Sequence, residues 1–182
     1  MRGLLLIDIQ QAFADPVWGS RNNPEAEQMA GALLTRFRAA SAPVFHVRHL
    51  STNPESPLHP ARGQIGYHPA VAPAPGEPSF DKSVNSAFIG TGLEAALREA
   101  GVTEVVICGL TTPHCVSTST RMAANLGFTV TLVEDACAAF DSNADTRWRP
   151  GPAPSAQDIH IAALDHLNGE FARVLAAADL GA

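Results

Sequence analysis

Four short runs of consecutive apolar residues recur along the chain: "GLLLID" at 3–8, "PVFHVRH" at 43–49, "EVVICGL" at 104–110 and "TVTLVED" at 129–135. A strand with one wet face alternates apolar and polar residues, whereas a strand covered on both faces is apolar on successive ones. A fifth strand is expected within "EFARVLAAADL" at 170–180. Segments of helical period lie at 23–40, 91–101, 115–127 and 155–169. Pro24 suits a first turn and Ser155 an N-cap. Gly101, Gly127 and Gly169 each follow a last apolar position, where a left-handed cap is needed. Parallel strands need crossovers, and helices supply them. The alternation therefore predicts an α/β fold, a three-layer, doubly wound, mostly parallel central sheet flanked by helices. With 182 residues and no internal repeat, one domain spanning 1–182 is expected.

Two Pro- and Gly-rich stretches, 50–81 and 140–154, break this rhythm. The flanks are too short for two full domains, and a long loop inside one domain is more often functional, so both read as walls of a site. Ligands of open parallel sheets bind at the strands' carboxyl ends. Three reactive side chains map there: Asp8 ends the first strand, Cys115 begins the helix after "EVVICGL", and Lys82 lies in the loop before the helix at 91. A cysteine at a helix N-terminus faces unpaired N–H groups and the positive end of the helix dipole, which favours thiolate and lowers the pKa. Singly, each residue has a plainer reading: a buried thiol, a capping carboxylate, a solvated lysine. Cys108 and Cys137 take that plain reading as small buried side chains.

The formal net charge is −6 and no basic cluster is present, which argues against nucleic acid as a partner. The apolar run in "MRGLLLIDIQ" is interrupted by Asp8 and is too short for a signal segment or a membrane span. Three cysteines without framework spacing favour a reducing, cytoplasmic setting.

Three separated segments then carry a resemblance over nearly the whole chain. "LLLIDIQQAF", "PGEPSFDKSVNSAF" and "VVICGLTTPHCVSTSTRMAANLGFTVTLVEDACAAFD" resemble, in order, the blocks of the isochorismatase-like cysteine hydrolases, which include nicotinamidases and N-carbamoylsarcosine amidohydrolase. The resemblance implies a catalytic triad of Asp8, Lys82 and Cys115. It also implies a non-proline cis peptide between Leu110 and Thr111, and an oxyanion hole from the N–H groups of Thr111 and Cys115. The implied activity is hydrolysis of a C–N bond in a small-molecule amide or carbamoyl substrate, through a thioester and without a cofactor. Two alternatives are isochorismatase-type vinyl-ether hydrolysis, which needs no thiol, and a binding protein that kept the fold. The resemblance also implies a homo-oligomer, dimer or tetramer.

Gln10, Phe13, Trp18, Phe88 and His114 are the substrate-pocket candidates, since each stands close to a motif residue. Gln10 is expected to orient Asp8 or a substrate group. Arg48 and Arg62 could grip a substrate carboxylate, although solvation is the plainer reading for each. The nicotinamidase branch carries an Asp-x-His metal motif after its second strand, where this chain reads "HVRHLST". His46 and His49 are three apart in a strand and face opposite sides. No metal is expected, with the loop residues His59 and His68 as the remaining ligand candidates.

Overall fold

A computed structural model describes residues 1–181. Its six strands are β1 (Arg2–Ile7), β2 (Val44–His49), β3 (Ser79–Lys82), β4 (Glu104–Leu110), β5 (Thr129–Ala138) and β6 (Arg173–Leu175). They form one sheet, parallel throughout, in the order β3-β2-β1-β4-β5-β6. The winding direction reverses between β1 and β4, so the crevice at their carboxyl ends is the switch point where such sheets bind ligands. β1 and β4 are buried along nearly their whole length, as their unbroken apolar runs require.

Four helices complete the domain: α1 (Ala26–Ala39), α2 (Leu93–Glu99), α3 (Ser117–Asn125) and α4 (Ala156–Asp165). α1 buries Ala30, Leu33, Leu34 and Phe37, one helical stripe, and α2 buries Leu93 and Leu97, one turn apart. Ser155 caps α4 as expected: its hydroxyl accepts from the Asp158 N–H, and the Asp158 carboxylate accepts from the Ser155 N–H.

The structure departs from the sequence expectation in two places. β3 lies where a loop was expected: it is a four-residue edge strand after Pro78, partly exposed and polar in composition, and so leaves little periodic signal. Lys82 is therefore its last residue. The strand expected within 170–180 is present as the three residues of β6, at the opposite edge. The helix expected from Cys115 begins as α3 only at Ser117; Cys115 lies in a π turn, Thr112–Val116, that precedes it.

β4 and β5 slip register between Ile107 and Gly109, which pair with Leu132 and Cys137. Gly109 sits in this irregularity with φ +139°, and a Cβ there would lie 2.0 Å from the Ile7 carbonyl oxygen. Neighbouring backbone in the sheet centre has no room to retreat. Gly109→Ala is expected to destabilise the fold by about 3 kcal/mol or more. Chemical denaturation checks this, and an unchanged midpoint would contradict it.

Candidate active site

Each reactive side chain reaches the crevice from a different element. β1 ends at Ile7, and Asp8 follows with φ +53°, a left-handed conformation that Asp tolerates better than most residues. The edge strand delivers Lys82, and the π turn after β4 delivers Cys115. Within that turn the N–H groups of His114 and Val116 both donate to the Thr111 carbonyl. The Leu110–Thr111 peptide is cis. The buried Thr112 hydroxyl bonds His160 Nδ1 at 2.8 Å, tying the turn to α4. One turn into α3, the Ser119 hydroxyl accepts from the Ala87 N–H at 2.9 Å and pins the segment after β3 against the nucleophile turn.

Asp8, Lys82 and Cys115 meet. Lys82 Nζ lies 2.6 Å from Asp8 Oδ2 and 3.2 Å from Cys115 Sγ. The side chains of Asp8 and Lys82 are essentially inaccessible to solvent. Burial pushes the Asp8 carboxyl up to about 6, against the opposing pull of the Lys82 ammonium. Burial and the Asp8 carboxylate push the Cys115 thiol up to about 12, and Lys82 only partly offsets them. This corrects the expectation of a lowered thiol pKa: burial of the sulfur, reinforced by the neighbouring carboxylate, disfavours the thiolate more than the Lys82 ammonium favours it. At rest the group is a thiol facing a carboxylate.

Two further residues belong to this cluster, and the sequence reading did not include them. His49 Nδ1 lies 3.0 Å from Lys82 Nζ. Asn85 places its side-chain oxygen 3.9 Å from Cys115 Sγ while remaining exposed, so it stands at the rim.

Most of the pocket candidates do other work. Gln10 is buried and clamps the end of β2: its Oε1 accepts from the His49 N–H at 2.7 Å, and its Nε2 donates to the carbonyls of His49 and Ile65. It holds backbone, not Asp8. Phe13 stacks on Phe140 in a small second core and Trp18 packs against both at a tilt, the ring centroids 5.1 to 6.1 Å apart. Phe88 packs in the main core against Phe128. His114 is exposed and bonds backbone at Asn143, in the second long loop. Arg48 is committed to a two-pronged ion pair with Asp81.

The histidine readings separate in the same way. His46 is buried and bonds Glu77 at 2.8 Å, away from the triad. His59 and His68 each accept the N–H two residues on and cap short turns. Asp8, His49 and Cys115 do bring three potential ligand atoms within 4.8 Å of one another. A carboxylate, an imidazole and a thiolate would suit zinc. However, the Lys82 ammonium already contacts all three, at 2.6, 3.0 and 3.2 Å, and an ion there would have to displace a buried cation. The donor set therefore does not fit a metal. Exhaustive treatment with EDTA or 1,10-phenanthroline is expected to leave activity unchanged; loss restored by added zinc or iron would contradict this.

Comparison with known proteins identifies the family. The family model described as Isochorismatase domain matches residues 2–179. The uncharacterized isochorismatase family protein YrdC of Bacillus subtilis is 43% identical over 96% of this chain and 91% of its own. The crystal structure of an isochorismatase-family protein from Chromobacterium violaceum superposes with a TM-score of 0.90 at 47% identity, covering 98% of this chain and 90% of that one. A streptothricin hydrolase of Streptomyces noursei is 34% identical over 94% of this chain and 59% of its own.

Proposed function

The chain belongs to the isochorismatase family of hydrolases, and from that premise we propose that it hydrolyses a C–N bond, amide or carbamoyl, of a small molecule through a thioester on Cys115. The observation that carries this reading is the Lys82 ammonium held 2.6 Å from the Asp8 carboxylate and 3.2 Å from Cys115 Sγ, with both charged side chains buried. A buried ammonium touching a sulfur has little purpose unless negative charge develops there.

Because the resting group is a thiol, its proton leaves as the S–C bond forms. Asp8 takes that proton, and the carbonyl π electrons move onto oxygen, where the N–H groups of Thr111 and Cys115 receive them. Lys82 balances the charge as it passes between carboxylate and sulfur. The oxyanion then collapses and the C–N bond breaks. Asp8 returns its proton to the departing nitrogen, leaving a thioester. Water attacks the thioester while Asp8 takes a proton from it; the acid departs, and the proton returns to sulfur. The net reaction consumes one water and yields an acid and an amine.

The vinyl-ether reading leaves the contact between Lys82 and the sulfur unused, and a binding protein would have no need of a buried nucleophile, base and cation in contact. Cys108 and Cys137 are buried and, like Cys115, free of disulfides, which supports a reducing cytoplasm as the place of action. Among the described residues no helix is long and apolar enough to cross a membrane. A homo-oligomer, dimer or tetramer, is part of the same proposal, as is the absence of nucleic-acid partners. The test is a screen of purified protein against small primary amides and carbamoyl compounds, following ammonia. Release that depends on Cys115 supports the proposal; no release from any of them, with turnover of a vinyl ether, overturns it.

A further inference from the structure

Lysine's ammonium carries three N–H donors and no acceptor. In this site it meets three groups: it forms an ion pair with Asp8 Oδ2 at 2.6 Å and lies within hydrogen-bond distance of Cys115 Sγ at 3.2 Å and His49 Nδ1 at 3.0 Å. The first two are the groups that exchange a proton in the proposed reaction. The third takes no part in it. Its placement is nonetheless built in at several levels. His49 and Lys82 are register partners in the parallel pairing of β2 with β3. Gln10, buried three residues beyond β1, fixes the His49 backbone through both its N–H and its carbonyl. The ring itself bonds backbone at Val84, just beyond β3.

We propose that His49 is a positioning residue: its neutral Nδ1 is the third acceptor that aims the Lys82 ammonium at the sulfur and the carboxylate. This inference rests on the triad reading above. For His49 to accept at Nδ1 it must be neutral with its proton on Nε2, where the Val84 carbonyl can receive it. Burial and the adjacent ammonium both oppose its protonation and push its pKa down to about 4, so the acceptor persists throughout the neutral range. An imidazole that stays neutral beside a cation serves as a fixed lone pair rather than as a base. A buried ammonium with one unpartnered N–H would turn toward whatever acceptor it could reach, loosening its contact with Sγ.

The experiment compares two replacements of similar size. His49→Asn keeps an acceptor oxygen where Nδ1 was, because Asn and His share their geometry out to the δ1 atom. His49→Leu fills the space without an acceptor and keeps water from taking its place. Two readouts are taken on variants whose melting shows a folded protein. One is kcat and KM for the best amide found. The other is the rate of iodoacetamide alkylation of Cys115 at neutral pH, located by peptide mass and controlled with Cys115→Ala. His49→Leu is expected to lower kcat and the alkylation rate about tenfold or more, with KM nearly unchanged, and His49→Asn to stay within about threefold of wild type in both. If His49→Leu does not fold, His49→Ala takes its place. A Leu variant that behaves as wild type overturns the inference, and so does an Asn variant as impaired as Leu, since ring volume would then be what matters. The alkylation rate needs no substrate, so it decides the role of His49 even if no amide is turned over and the proposed function fails.

Discussion

Cys115→Ala is expected to lower kcat/KM for amide hydrolysis by about 10⁴-fold or more, with a stability change of about 1 kcal/mol or less. The sulfur is the atom that bonds to substrate, and no other nucleophile in the cluster can replace it: Asp8 is held against Lys82 at 2.6 Å, and the lone pair of His49 Nδ1 faces the same ammonium. The stability effect is small because Cys115 is only partly buried, at the rim of the core. Cys108→Ala should do the opposite. Cys108 is fully buried within β4, where shrinking it leaves a void, so about 1–2 kcal/mol of stability is expected to be lost while turnover survives. Steady-state kinetics and denaturation of the two variants side by side check this. Substantial turnover by Cys115→Ala would contradict it.

Asp8→Asn is expected to lower kcat/KM by about 10²- to 10⁴-fold, the usual contribution of a general base. An amide cannot take the thiol proton, but it keeps the shape of the carboxylate, so packing is preserved. In the wild type, kcat/KM should rise with pH through an apparent pKa near 6, where burial has pushed the carboxyl, and should level off above it. The value belongs to the coupled thiol–carboxylate–ammonium group rather than to Asp8 alone. The same shift has a consequence for stability. A carboxyl raised from 3.8 to about 6 binds its proton more tightly folded than unfolded. Its contribution to stability is therefore full below the unfolded value and is lost as pH rises through about 6. Asp8→Asn should flatten that part of the stability profile. A wild-type activity profile with no acidic limb near 6 would contradict the assignment of Asp8 as the base.

The central layers of the fold were legible because burial on both faces writes itself into sequence as unbroken apolar runs, and β1 and β4 carry the clearest ones. The edges were not. β3 and β6 are short and half exposed, and their place in the sheet depends on long-range pairing that leaves no local period. Asp8 and Cys115 could be placed because Asp8 directly follows a legible strand and Cys115 lies in the turn after another. Lys82 was recovered from motif resemblance, although its strand was read as loop. His49 shows the physical limit. Pleating correctly separated it from His46, but its significance comes from facing Lys82 across the β2–β3 register, which cannot be seen until β3 is recognised. Nearness in sequence to Asp8 and Lys82 suggested Phe13, Trp18 and Phe88 as pocket residues; the structure packs Phe13 and Phe88 within the two apolar cores and Trp18 against one of them. The thiol pKa was misjudged because a helix dipole can be anticipated from sequence, whereas burial beside a carboxylate cannot.

The covalent role of Cys115 is tested most directly by mass spectrometry of enzyme quenched in acid during turnover of the best amide from the screen. A population of protein heavier by the substrate's acyl group is expected, with the added mass on the peptide containing Cys115, absent from Cys115→Ala and discharged by hydroxylamine. Continued turnover with the added mass on another residue, or undiminished turnover by Cys115→Ala with no acyl-protein at any time, would contradict it.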